Sequence, residues 1–116
     1  MNAEEIKRRT KEFALRVIRL IESLPKTTIA YVIEKQLLRS ATSVGANYRS
    51  ACRARSKADF ASKICIVEEE ADESAYWLEL LLEAKIVAAH EVTDLLREAY
   101  ELTAIFAASG KTAKRK

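Results

Sequence analysis

Six cations crowd one short stretch of this chain: Lys35, Arg39, Arg49, Arg53, Arg55 and Lys57. On a helix, at about 100° per residue, the first four fall within a sector of roughly 80°. Glu34 is the single acid between residues 27 and 57. Such a stripe is either an ordinary solvated face or a surface that meets phosphates. Arg55 and Lys57 carry the charge into the following connection. The other reactive side chains do not assemble into a site. His90 is the lone histidine, and no spacing brings Cys52 or Cys65 to it. A diiron bundle needs Glu-x-x-His pairs projecting inward, and none occurs. The run Glu68-Glu69-Glu70 with Asp72 and Glu73 points around a helix and reads as a solvated face. P-loop, GxGxxG and GxSxG motifs are absent. The expectation is a non-enzymatic binding protein with no metal and no cofactor.

Helices must position these residues. The chain has 116 residues, of which 49% are hydrophobic and 32% charged, with two Gly and one Pro. That length makes one domain, and it can bury a core without staples. Scarce Gly and Pro argue against hairpins and turns. Helix one carries Ile6, Phe13, Val17, Leu20, Ile21 and Leu24 at helical spacing, with Asn2 as N-cap and Pro25 as terminator. Helix two starts near Thr27 or Thr28 and shows Ile29, Ile33, Leu37, Ala41, Val44, Tyr48 and Ala51 on one face. Gly45 lies inside it, where a kink or a close helix approach could use it. Ser56-Lys57-Ala58-Asp59 resembles a capping box opening helix three, whose stripe is Phe60, Ile64, Val67, Ala71, Leu78 and Leu82. Helix four carries Val92, Leu95, Leu96, Ala99, Leu102, Ile105 and Phe106, and Gly110 is its expected stop. Connections at 24–27, 54–57 and 87–91 are short, so neighbouring helices run antiparallel. The expected fold is all-α, an up-down-up-down four-helix bundle over residues 1–110 with a basic disordered tail at 111–116.

Two further stripes bear on partners. Gln36, Ser40, Ser43 and Asn47 form a polar ridge beside the core face of helix two, and Asn47 could hydrogen-bond across the bundle. On helix three, Ile66, Glu70, Glu73, Trp77 and Leu80 lie to one side of the core face. Trp77, Leu80 and Ile66 are too apolar to sit together in water. The stripe is either covered by a neighbouring helix or a self-association surface, and the second reading is the expectation.

Charge is polarised along the chain. Residues 1–57 hold 13 Lys/Arg against 5 Asp/Glu, a balance of +8, and residues 58–89 hold 2 against 8, a balance of −6. Asymmetry of this kind steers partners. The N-terminal residues have no apolar signal core, and no apolar run approaches the roughly 18 residues of a membrane span. Two cysteines without a CxxC spacing read as free thiols in a reducing compartment. The expected location is cytoplasmic, with no membrane partner.

Three segments together resemble a known family. They are Leu37-Leu38-Arg39-Ser40-Ala41-Thr42-Ser43-Val44-Gly45-Ala46-Asn47-Tyr48-Arg49, then Arg53-Ala54-Arg55-Ser56-Lys57-Ala58-Asp59-Phe60, then Glu69-Glu70-Ala71-Asp72-Glu73-Ser74-Ala75-Tyr76-Trp77-Leu78-Glu79-Leu80. In this order they look like the bundle proteins encoded within intervening sequences of bacterial 23S ribosomal RNA genes, also labelled S23 ribosomal proteins. The resemblance implies a four-helix bundle and a ring-like homo-oligomer, commonly a pentamer. It extends to the accessory protein of diversity-generating retroelements, which presents a basic surface to nucleic acid and to a reverse transcriptase. By carry-over, Arg39, Asn47, Arg49, Arg53 and Arg55 stand at motif positions of helix two, and Glu70, Glu73 and Trp77 at those of helix three. The leading expectation is an oligomeric accessory factor that binds nucleic acid, RNA in the first instance or DNA, through helix two. The alternative is a protein scaffold recruiting a partner enzyme such as a reverse transcriptase.

Overall fold

A computed structural model describes residues 1–114. Four helices follow one another: α1 Ala3–Glu22, α2 Thr28–Cys52, α3 Lys57–Glu83 and α4 Ala89–Lys114. Each packs on its sequence neighbours, α4 closes back on α1, and across the diagonal the rings of Tyr48 on α2 and Phe106 on α4 meet with 5.6 Å between centroids. The bundle measures 48 × 20 × 20 Å.

Local chemistry sets the helix limits. Asn2 accepts from the Glu5 amide at 2.9 Å, Thr27 from Ala30 at 3.2 Å and Ser56 from Asp59 at 3.0 Å. Each cap satisfies one amide that the first turn leaves without an intrahelical acceptor. Asp59 answers by accepting from the Arg55 amide at 3.2 Å. At the start of α4 the Glu91 carboxylate takes the Ala88 amide at 3.0 Å. The α3 terminus is a Schellman turn: the Ile86 amide donates to the Leu81 carbonyl and the Lys85 amide to Leu82, both at 3.0 Å. Lys85 stands there at φ 60°, and Ile86 packs against the core.

The expected stripes form one cluster. Phe13, Leu37, Ile64, Leu78 and Leu102 are fully buried, and Ile33 and Leu95 nearly so. Phe60 is only half-buried, because it lies at the end of the bundle beside Ala108 and Thr112. Leu82, Leu96, Ile105 and Ile21 likewise flank the core rather than enter it. Ile29 departs from its expected place and is 66% exposed. Its direction is about 80° from the centre of the face that Leu37, Val44 and Tyr48 define, and Ala30 fills the core position instead.

Both glycines sit at close approaches. A Cβ on Gly45 would stand 3.1 Å from Thr10 Oγ1, so the missing side chain lets α1 and α2 draw together. Gly110 does not stop α4. It is buried, its φ is not positive, and a Cβ there would meet Ile64 at 3.3 Å. Without the left-handed conformation that ends helices, and with α3 to pack on, the helix runs on to Lys114. Residues 111–114 of the expected tail are therefore helical, with Lys111 and Lys114 well placed for the negative end of the helix dipole. Residues 115–116 of that tail lie outside the described residues.

Lys85 offers a direct test. Holding a non-glycine residue in the left-handed region costs roughly 1–2 kcal/mol, and glycine's larger unfolded-state freedom returns part of that. Lys85→Gly is expected to stabilise the bundle by about 0.5–1 kcal/mol in urea denaturation. A loss of stability would contradict this backbone geometry.

Candidate nucleic-acid interface

The six expected cations do not share one environment. Arg39 leans toward α3 and is held there. Its guanidinium donates to Glu70 at 2.8 Å and to Glu73 at 2.5 Å. These bonds, Glu70 first, raise the Arg39 pKa above its ordinary value. Glu70 also accepts from the Ser43 hydroxyl, and Glu73 from the Trp77 indole N–H at 3.0 Å. Residues expected to serve two separate surfaces thus form a single network across the α2–α3 seam. Lys35 sits 5.2 Å from the Tyr31 ring centroid, a cation–π contact. Arg49 and Arg53 are exposed, and among the described residues no carboxylate lies within ion-pairing distance of either. Arg55 fixes the α3 cap through its amide, and its charge helps to hold the Asp59 carboxyl below the usual range, after the amide hydrogen bond and Lys63. Lys57 is the first residue of α3.

The polar ridge acts locally at Asn47 and crosses to α3 at two points, Ser43 to Glu70 and Ser40 to Ser74. Asn47 does not cross the bundle: its amide donates to the Ser43 carbonyl of its own helix at 2.9 Å. The fully buried crossing is made by Ser74, whose hydroxyl meets Ser40 at 2.9 Å in the interior. Both serines are fully buried. No buried side-chain polar atom lacks a partner among the described residues.

The expected interface stripe is divided as well. Trp77 and Leu80 pack against the core edge, whereas Ile66 is 45% exposed. Glu70 and Glu73 are engaged by Arg39. The exposed aromatic on α3 is Tyr76, whose ring meets Trp77 edge-on at 5.0 Å. Tyr100 of α4 is also exposed and donates to Glu79, which pushes its phenol up to about 12. Tyr76 and Tyr100 both fall outside the apolar stripes of the sequence. Their signal was that same displacement, a large ring on a face otherwise polar. The described residues contain no group of three or more metal-ligating side chains and no helix long and apolar enough to cross a membrane.

The sequence model described as "23S rRNA-intervening sequence protein" matches residues 3–108. The chain belongs to that family. A solved structure of a Bacteroides thetaiotaomicron protein, described as of unknown function and from the S23 ribosomal protein family, is similar at 36% identity. The match covers 91% of this chain and 98% of that one, with a TM-score of 0.84. No curated protein matches the chain. For this member of the 23S rRNA-intervening sequence protein family, the matched span takes in all three motif segments and the whole α2–α3 network.

Glu73 makes that network sensitive to pH. The Trp77 indole holds its carboxyl below the usual range and Arg39 adds to this, while partial burial opposes both. A depressed carboxylate stabilises the fold above its ordinary pKa, 4.5 here, and loses that contribution as pH falls through the lowered value. Trp77→Phe removes the donor but keeps an aromatic ring. Beyond a constant packing loss, the variant is expected to lack a pH-dependent increment of less than about 1 kcal/mol at neutral pH, given the solvent screening. Urea denaturation from pH 7 to pH 3 should show the gap narrowing below about pH 4.5. A gap constant across that range would mean that the indole does not hold the carboxylate.

Proposed function

We propose that the protein is a non-enzymatic, self-associating accessory factor that binds nucleic acid, RNA foremost, through the exposed cations of α2. The observation that carries this reading is the state of Arg49 and Arg53. Both are exposed and, among the described residues, without a carboxylate at ion-pairing distance, on the half of the chain whose balance is +8. Ion pairing consumes Arg39, but it leaves these two for phosphates. Contacts of this kind release condensed counterions, so affinity falls steeply as salt rises. A helical surface whose one exposed ring on α2, Tyr31, lies against Lys35 favours backbone contact over base readout. The family's name, which refers to 23S rRNA intervening sequences, accords with an RNA setting.

Fluorescence anisotropy with a structured RNA and a duplex DNA, at about 50 and 200 mM salt, tests the reading. Wild-type protein should bind at the lower salt and lose affinity sharply at the higher. Arg49→Glu with Arg53→Glu should weaken binding at least about tenfold at the lower salt. Unchanged binding by that variant, or no wild-type binding, would overturn the reading. It would favour a protein scaffold, for which the acidic α3 with its exposed Tyr76 and Ile66 offers the surface.

Self-association is proposed because large apolar side chains stand outside the core: Ile29, Tyr31 and Val32 on α2, and Ile66 and Tyr76 on α3, each 45–66% exposed. Exposed apolar side chains of this size, where they join into a patch, mark interfaces. Sedimentation at micromolar concentration should show a multiple of 13.1 kDa. A clean monomer would remove this part of the proposal.

A further inference from the structure

The rotation of α2 divides its basic sector between two neighbours. About the helix axis, Lys35 and Arg53 point along the middle, Arg39 lies about 40° to one side and Arg49 about 40° to the other. The Arg39 side faces α3 and is closed by Glu70 and Glu73. The Arg49 side faces α1, where among the described residues no carboxylate pairs with it. A depression of about 390 Å³ opens there instead, lined by Glu4, Lys7, Arg8, Lys11, Glu12 and Arg49. Four cations thus meet two carboxylates, and Lys7 accounts for one of those by pairing with Glu4 at 3.4 Å. Among the described residues, Arg8, Lys11 and Arg49 have no carboxylate within ion-pairing distance.

The depression continues along the groove between the two helices. A second hollow of about 210 Å³ shares Lys7, Lys11 and Arg49 with the first, and Ala14, Thr42, Gly45 and Ala46 form its floor. Those small residues keep the groove open where longer side chains would fill it. Lys7 and Lys11 rise about 6 Å along α1, and Arg49 faces them from α2.

We infer that the α1–α2 groove is a nucleic-acid phosphate track, with Arg8 and Lys11 on one wall and Arg49 on the other. This rests on the nucleic-acid reading above and adds α1 to it. A repeating phosphodiester matches cations set along a groove and across it, whereas a single small anion could satisfy only part of them. The open, unenclosed shape admits a strand passing through. The chemistry is the phosphodiester itself, common to RNA and DNA.

The test replaces Arg8 and Lys11 together by Gln, which keeps helix propensity at two exposed positions. The control replaces Arg97 and Lys111 of α4 by Gln, the same change in net charge away from the groove. Both variants are titrated by anisotropy against a structured RNA and a duplex DNA of equal length, from about 50 to 200 mM salt. The groove variant should lose on the order of tenfold affinity at the lower salt. Its log affinity against log salt should flatten by about 1.4 on single-stranded segments and about 1.8 on duplex DNA, two phosphates' worth. The control should change affinity by no more than about threefold, with little change of slope. A loss on both probes assigns the track to the shared backbone, and a loss on one alone assigns it to that nucleic acid. Equal behaviour of groove variant and control overturns the inference. If wild type binds and only Arg49→Glu with Arg53→Glu weakens it, the inference fails while the α2 reading stands. If wild type binds neither probe, both fail.

Discussion

Leu37, Ala41, Val44 and Tyr48 are buried, and burying them sets the rotation of α2 about its own axis. Nearly every other property of the surface depends on that setting. Once this face turns inward, the basic sector must turn outward, and α1 and α3 must flank it. Ser40 then meets Ser74 inside the α2–α3 seam, and Gly45 meets Thr10 inside the α1–α2 seam. The hydroxyl pair ties the two helices together, and each serine also lies within hydrogen-bond distance of a carbonyl of its own helix, Ser40 of Leu37 and Ser74 of Glu70. A shift of α2 by one residue, about 100°, would bury Arg49 or Arg53 and expose Val44. The hydrophobic term therefore fixes where the charges go.

The helices and their order were legible in the sequence because the apolar period is clean and the caps are standard. Asn2, Thr27 and Ser56 are each a residue whose oxygen can close an amide, and each does so. The departures share one cause, which is information held by a neighbouring element. Gly110 looks like a stop until α3 is present to place Ile64 against it. Ile29 looks like a core residue until the phase of α2 is known to the nearest few tens of degrees. Asn47 has the chemistry to cross the bundle, but Ser43 of its own helix offers a carbonyl first.

The candidate site was partly legible in the same sense. The cations of α2 were visible as a stripe, and their family motif positions were visible too. Their division was not, because Arg39 and Arg49 differ only in which helix lies beside them. The structure shows Arg39, Glu70, Glu73 and Trp77 as a single seam. Partial burial of Glu70, with a side chain 15% exposed, makes its pairing with Arg39 stronger than a surface contact of the same length. Polarised charge along the chain thus has two roles. Part of it cancels internally between α2 and α3, and the remainder gathers toward α1.

The seam between α1 and α4 is the thinnest of the four, and its main polar fastening is Arg9 bridging Glu98 and Glu101. Local opening of a protein begins where few contacts must break. By that measure α1 is the cooperative unit of lowest opening free energy, since its detachment breaks only the α1–α2 seam and the thin α1–α4 seam. Its amides should exchange with solvent ahead of those in α3, which lies between two extensive seams. A molecule that grips α1 and α2 together would act on this motion directly. Such a ligand, at a hundred times its dissociation constant, adds about 2.7 kcal/mol to the cost of detachment. Occupancy would then be written in the exchange rate of a helix, far from any change in its average position.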